Sequence, residues 1–286
     1  MVMEITNKYD LPEAIIRAIS VYNYAPEEGR YSVTDLVNPP RMRLLKIRHW
    51  RELSVDASER LWALFGQACH KVLDMAAPPG STVEGKLIVD FEGVRLVGKS
   101  DLYHQERVED YKVTSVYSFL LEDGKTKKEW EEQLNVYAWL FSRLGKPVKE
   151  LWVRAILRDW QNSKALQDMS YPRIPFQSVQ VPLWPTPGQE RYIRARLEAH
   201  RIENPQCSDE ERWLRPSSWA VMKKNNQKAY RVFDNPWQAE NLAKTDKAFV
   251  VVERKGSYNR CENYCPVRAV CSQAKGTKVV NLKERG

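Results

Sequence analysis

The sequence predicts an α/β protein with a mixed central sheet flanked by helices and a cysteine-rich carboxy-terminal region. Three observations predict it. The periodic segments run helix, three strands, helix, strand, helix, an order that lays helices against a sheet. Two apolar runs, "GKLIVDF" (85–91) and "VRLVGKSDLY" (94–103), are joined by Glu92-Gly93, an acidic residue and glycine that read as a hairpin turn. Four of the five cysteines fall after residue 205, in a stretch of little periodicity. The expected division is a core over 1–205 with an amino-terminal helical lobe, and a cysteine-rich metal- or cluster-binding region over 206–286.

The segments justify this in turn. "YSVTDLVNPPRMRLLKIRHW" (31–50) opens with turn chemistry and a Pro-Pro break, then becomes basic and amphipathic. A helix is predicted over 56–76, capped by Asp56 or Ser58, with Leu61, Leu64, Ala68 and Leu73 near one stripe and "APPGST" ending it. The hairpin follows, then a third strand at about 107–114 containing "VEDYKV". A helix over 126–145 stops at Gly145, "KELWVRAILRDW" (149–160) is a further strand, and 188–203 is a helix. Short strands in "AYRVFD" and "AFVVVERK" and a helix near 236–244 complete the chain.

At 286 residues the chain has ample length for a hydrophobic core. Its net charge of +8 and pI near 9.1 favour a polyanionic partner, most commonly nucleic acid. No apolar run approaches the ~20 residues that span a bilayer. The first residues, "MVMEITNKYDLPEAI", carry acids and no signal-type apolar stretch, so a cytoplasmic protein without disulfides is expected.

The chemistry concentrates in "GKSDLYHQERVEDYKV" (98–113). Side chains alternate along a strand, so Asp110 and Lys112 share a face and Tyr111 takes the other. A short connection folds 107–114 back beside Asp101 and brings it near Asp110. Two adjacent carboxylates repel, and a divalent cation relieves that repulsion. Hard oxygen ligands with room for water suit Mg²⁺ or Mn²⁺. Lys112 would then lie beside an attacking water or a scissile phosphate. Glu109 is on the wrong face for the metal, and His104 is read as structural or exposed.

"GKSD", eight residues, then "DYK" resembles the signature of PD-(D/E)XK nucleases in their RecB-like form. Two further matches accompany it. "FGQACH" places Gly66 and His70 in the family's G-x-x-x-H pattern, and "EQLNVY" places Gln133 and Tyr137 in its Q-x-x-x-Y pattern. The resemblance extends from about 31 to 272. It implies a restriction-endonuclease-like fold and a metal-dependent DNA nuclease, with Asp101, Asp110 and His70 on Mg²⁺ or Mn²⁺, Lys112 at the nucleophile, and Gln133 and Tyr137 on substrate. It further implies an exonuclease of a phage-type branch serving DNA recombination or repair in the host cytoplasm. The alternatives are a flap or junction endonuclease and a non-catalytic DNA-binding protein. A single-strand annealing partner and the oligomeric state stay open.

Cys261, Cys265 and Cys271 follow a C-x3-C-x5-C spacing, and Cys207 precedes them. Four thiolates suit a 4Fe–4S cluster, or zinc as second choice. The triplet resembles that of iron–sulfur nucleases, whose fourth cysteine precedes the nuclease core. Here Cys207 follows it, so the cluster would staple the tail to itself. Cys69, beside His70, is the alternative fourth ligand, although its apolar helix favours burial. "RWLRPSSWAVMKKNNQKAYR" (212–231) mixes basic and aromatic residues as a single-strand DNA track would.

Overall fold

The structure, a computed structural model, describes residues 3–21, 25–120, 127–224 and 226–275. The chain divides into two compact units, Met1–Pro205 and Gln206–Gly286. Unit 1 contains β1 (Glu4–Thr6), α1 (Glu13–Ser20), β2 (Arg30–Ser32), α2 (Val33–Val37), α3 (Pro40–His49), β3 (Ser54–Asp56), α4 (Leu61–Met75), β4 (Thr82–Phe91), β5 (Val94–His104) and β6 (Arg107–Thr114). It continues with α5 (Val116–Leu120), α6 (Lys128–Arg143), β7 (Glu150–Leu157), α7 (Asn162–Gln167), β8 (Phe176–Val181) and α8 (Thr186–Arg201). The α/β class and the mixed sheet with flanking helices are those the sequence predicts.

Six strands form that sheet, in the order β2-β5-β6-β7-β8 with β4 paired to β5. The β2–β5 and β6–β7 pairs are parallel; β4–β5, β5–β6 and β7–β8 are antiparallel. One edge of β5 is taken up by β4. Its other edge pairs with β2 at Arg95–Val97 and with β6 at Leu102–His104. Between these two partners, Gly98, Lys99, Ser100 and Asp101 have no strand neighbour on that edge.

β7 reads as a half-buried strand should: Leu151, Val153, Ala155 and Leu157 are buried and the residues between them are not. It ends at Leu157, short of the expected 160, because the chain turns there, Trp160 donating its amide to the Leu157 carbonyl. α6 lies across the sheet with Leu134 through Phe141 buried, joined by Ile193 and Leu197 of α8 and Val33 and Leu36 of α2. Residue 126, where the sequence placed the start of this helix, lies outside the described residues. Buried Asn135 is fully satisfied. Its amide donates to the Glu131 and Pro182 carbonyls and its oxygen accepts from the Trp184 amide.

α6 can approach β5 because of Gly98. A Cβ there would lie 2.9 Å from Leu140 Cδ1 and 3.0 Å from Tyr137 Cε1. α4 departs from expectation. Asp56 caps the 3₁₀ turn Ala57–Arg60 ahead of it, accepting from the Ser58 amide at 3.1 Å. No residue of α4 is fully buried, and Ala68, expected in the apolar stripe, is exposed.

Unit 2 holds β9 (Leu214–Arg215), β10 (Ser218–Lys223), β11 (Arg231–Phe233), α9 (Pro236–Ala243), β12 (Phe249–Arg254), β13 (Ser257–Tyr258) and α10 (Asn259–Asn263). β10 is the centre of an antiparallel sheet between β11 and β12. Its Ala220 and Val221 are buried, as is Ala239 of α9. Within 212–231, which the sequence offers as a track, Ala220 and Val221 are sheet core, while Arg215, Lys223, Lys224, Lys228, Tyr230 and Arg231 are exposed; residue 225 lies outside the described residues. Gln273 clasps the start of the unit: its oxygen accepts the Cys207 amide at 2.9 Å and its nitrogen donates to the Cys207 carbonyl at 3.1 Å.

His200 of α8 yields a pH dependence. Burial pushes its pKa down to about 4, while Nε2 donates to the Asp35 carbonyl at 3.0 Å. The unfolded chain therefore binds a proton that the folded chain refuses between pH 6.5 and about 4, and stability falls with pH across that window. Urea unfolding at pH 5 should show a loss of about 2 kcal/mol relative to pH 7.5 that His200→Gln largely removes. An equal loss in wild type and variant would show that His200 is not responsible.

Candidate active site

The gap on the β5 edge is where the acidic residues meet. The β5–β6 ladder runs through His104↔Arg107, Tyr103↔Val108 and Leu102↔Glu109 and stops. In the next position Asp101 Oδ2 accepts the Tyr111 amide at 2.7 Å. A side chain thus satisfies a backbone group where the neighbouring strand has parted. On the other edge, Glu84 of β4 lies opposite Asp101, has φ of +46°, and drops out of the β4–β5 ladder, which keeps its register on either side. The inward phase of β5 changes across this point. Gly98 faces Tyr137 and Leu140 of α6, and Tyr103 stacks on Phe141 of the same helix at 4.5 Å. Strict alternation would put residues five apart on opposite faces. The irregularity at Ser100–Asp101 is a bulge-like break that re-aims the Asp101 side chain.

Asp110 lies on the core face of β6, opposite Val153 of β7, and is 4% exposed. Burial pushes its pKa up against the opposing pull of the Lys112 ammonium, and the nearby Asp101 charge adds to the rise. Lys112 Nζ stands 2.7 Å from Asp110 Oδ2 as an ion pair outside hydrogen-bond geometry, so this buried oxygen has no hydrogen-bond partner among the described residues. Lys112 directs its hydrogen bond to Gln133 Oε1 instead, at 3.0 Å. The Ser100 hydroxyl is likewise buried without such a partner among the described residues.

His70 of α4 closes the site, with Nδ1 3.0 Å from Asp101 Oδ1 and its ring edge-on to Tyr111. The bond to Asp101 raises its pKa, against burial. Tyr137 is buried, and its hydroxyl donates to the Lys99 carbonyl at 2.9 Å, bracing the gap itself. Asp101, Asp110, Lys112, His70 and Gln133 are therefore brought together, with Tyr137 behind them. Glu109 points away, held by Arg154 at 2.8 and 2.9 Å; burial raises its pKa and Arg154 more than reverses this. His104 meets the Ser81 hydroxyl at 3.2 Å.

Asp74, one helical turn beyond His70, was not singled out by the sequence reading. Its Oδ2 is buried without a hydrogen-bond partner among the described residues, and burial, with the charges of Glu84 and Asp101, raises its pKa. The i, i+4 spacing from His70 is the signal that could have found it. Among the described residues no three His, Cys, Asp or Glu side chains stand close enough to hold a metal ion as they are arranged. At the acidic site the Lys112 ammonium and the His70 imidazole lie against the two carboxylates.

In unit 2, Cys207, Cys261, Cys265 and Cys271 share one electrostatic neighbourhood. Burial pushes the Cys207 thiol up to about 12, with Glu211 and the other three cysteines adding to the rise. Cys265 is raised by burial and by Cys261 and Cys271. Arg212 lies against Cys261, which outweighs burial and raises the guanidinium pKa. Cys69 belongs to α4 of unit 1 and is half-buried.

No family model and no curated protein matches the sequence. Among solved structures, the crystal structure of SSO0001 is 18% identical with a TM-score of 0.47, covering 70% of this chain and 89% of that one. An alkaline exonuclease (LHK-Exo) from Laribacter hongkongensis is 12% identical with a TM-score of 0.37, covering 61% and 89%. No helix of the described residues is long and apolar enough to cross a membrane.

The charge on Asp110 opposes folding at neutral pH, because its raised pKa makes the ionised form the costlier one in the folded chain. Asp110→Asn keeps the shape and removes the buried charge. Its unfolding free energy from urea titration at pH 7.5 should rise by about 1 kcal/mol, with a higher midpoint. A fall of about 3–5 kcal/mol, expected for breaking a structural buried pair, would assign the carboxylate to the scaffold.

Proposed function

We propose that the chain is a divalent-metal-dependent DNA nuclease of the PD-(D/E)XK kind, acting at ends as an exonuclease. The observation that supports it most is the convergence of Asp101, Asp110 and Lys112 on one gap in a sheet, with a buried Asp110 oxygen that has no hydrogen-bond partner among the described residues. The oxygen is met by the Lys112 ammonium alone, where a purely structural buried carboxylate ordinarily gathers further hydrogen bonds. In kind, the donors suit a hard divalent cation: carboxylates of Asp101 and Asp110, and the imidazole of His70; to hold one they must leave their present arrangement, in which Lys112 and His70 lie against the carboxylates. Bound there, Mg²⁺ or Mn²⁺ would supply a water of lowered pKa and neutralise charge on a phosphoryl oxygen.

The remaining roles follow from the side chains themselves. Hydrolysis adds a water oxygen to phosphorus as an ester oxygen leaves, and negative charge builds on the phosphoryl oxygens. Lys112, only partly buried, would set its ammonium beside that charge. Gln133 fixes the direction of the ammonium through their 3.0 Å hydrogen bond. Tyr137 is a positioning residue, because its hydroxyl is committed to the Lys99 carbonyl. His70 must shed its proton to serve as a ligand, so a raised pKa shifts metal binding toward higher pH.

End-labelled linear DNA incubated with Mg²⁺, Mn²⁺ or chelator tests the reading. Metal-dependent shortening from the ends is expected, with circular DNA left intact. Asp110→Ala should lower the rate by about 10²–10³-fold or more, and Lys112→Ala should lower it more than it weakens DNA binding. Full activity in either variant would sink the assignment, and cleaved circles would make the chain an endonuclease.

We further propose a 4Fe–4S cluster on Cys207, Cys261, Cys265 and Cys271, in a structural role. Four thiols in one electrostatic neighbourhood suit such a cluster in kind, although they would have to draw together to hold it, and the Arg212 cation against Cys261 suits its negative charge. Protein purified without oxygen should be brown and contain iron and sulfide, and Cys271→Ser should bleach it and lower the melting temperature. Stoichiometric zinc in place of iron would replace the cluster with a single ion, and neither metal would remove both.

A further inference from the structure

Positive charge is unevenly divided between the units. Of the net +8, the 81 residues from Gln206 onward carry +7, with 16 Lys and Arg against 9 Asp and Glu; the first 205 residues carry +1. The unit without the acidic site is therefore the one whose field attracts a polyanion.

That unit also has an open cleft of about 740 Å³ between β10, β11 and α9, within the size range of small-molecule sites. Its lining is not itself basic. Arg231 and Asp234 offset one another, and the rest comprises rings, amides, hydroxyls and aliphatic groups, including Phe233, Trp237, Gln238 and Asn241. Trp237 is 67% exposed although its backbone is well fixed: Pro236 opens α9, and the Asn235 side chain accepts the Trp237 amide at 2.9 Å. An exposed indole on a pre-ordered helix turn costs little to immobilise on binding. Arg231 sits 5.1 Å over the Phe233 ring, a second flat face in the same cleft. Exposed cations flank the lining: Arg254 is cross-strand from Ser218, Arg215 precedes Pro216, and Lys255 precedes Gly256, whose amide donates to Ser217; Lys223, Lys224 and Lys228 are exposed elsewhere on the same unit.

Neutral rings and amides inside, with cations outside, suit a heterocyclic base whose phosphates lie at the margin. We propose that this cleft binds an unpaired base of single-stranded DNA, with Trp237 stacking on it, Gln238 and Asn241 on its hydrogen-bonding edge, and the surrounding lysines and arginines on the backbone. Bases within a duplex are stacked on each other and cannot offer a face to Trp237, so the cleft selects the single strand. The inference rests on DNA being the substrate, and it adds a site distinct in sequence and chemistry from the acidic one.

Fluorescence anisotropy of a labelled oligothymidylate with the full chain in chelator isolates binding from cleavage. Trp237→Ala should weaken binding about 10-fold or more, and Trp237→Phe should restore most of it. Binding to a duplex of equal length should be unaffected by either change. Unchanged oligothymidylate affinity in Trp237→Ala, an equal loss on duplex, or no recovery with Phe would overturn the proposal. Cleavage by wild-type protein is scored separately: binding without any metal-dependent product would sink the nuclease reading and leave the cleft standing, and cleavage with Trp237-independent binding would do the reverse.

Discussion

The hydrogen bond from the Tyr111 amide to Asp101 Oδ2 is the contact on which the arrangement of the acidic site depends. β5 leaves a gap between its partners β2 and β6, and an unpaired amide facing that gap would be costly. The Asp101 carboxylate fills it. One oxygen is committed to the backbone, and the other meets His70. The same residue thus holds the parted strands in place and presents a charge in the space between them. A sheet that continued its ladder would have paired Asp101 with Asp110 through backbone bonds and had no such space.

The strand β6 shows how position in the pleat divides chemistry from scaffold. Glu109 and Asp110 are adjacent carboxylates. Glu109 faces the guanidiniums of Arg154 and Arg107, is held in two hydrogen bonds by Arg154, and has its pKa lowered as a result. Asp110 faces the core, where burial outweighs the single ammonium of Lys112 and raises its pKa. The first is a satisfied structural pair. The second stores unfavourable electrostatics that a cation would relieve, which is the usual signature of a site kept for function at some expense of stability.

Much of this was legible in the sequence, and the reasons for the rest are specific. The 98–113 stretch could be read because alternation places Asp110 and Lys112 together and a short turn brings Asp101 alongside. The break in alternation at Ser100–Asp101 could not, since it arises from the β4 backbone at Glu84 and from strands distant in sequence. Tyr137 was read as a substrate contact because its spacing from Gln133 shares a helix face; the Lys99 carbonyl that claims its hydroxyl is visible only once Gly98 has let α6 close on β5. β10 was hidden by the basic residues around it, although "SWAVM" carries the apolar content of a central strand. On α4 the expected stripe is partly realised: Leu61, Leu64 and Leu73 are half-buried and Ala68 is exposed, because the helix packs through few neighbours and also leaves Trp62, Phe65, Val72 and Met75 exposed.

The division of charge bears on how an acidic site can work on a polyanion at all. Asp101, Asp110, Asp74 and Glu84 concentrate negative charge in unit 1, and Lys112, His70 and Lys99 only partly offset it. Raising the basicity of unit 1 as a whole would attract DNA but would also weaken the hold of the carboxylates on a cation. Confining +7 of the net charge to the second unit separates the two demands. The field of exposed charges fades within about 8 Å at physiological salt, so each exposed cation acts chiefly on its immediate surroundings. Buried groups are screened far less, and the local pairs, Lys112 with Asp110 and His70 with Asp101, keep control of the acidic site. The electrostatics of the gap are therefore set by its own few residues, and most of the net positive charge by a different part of the chain.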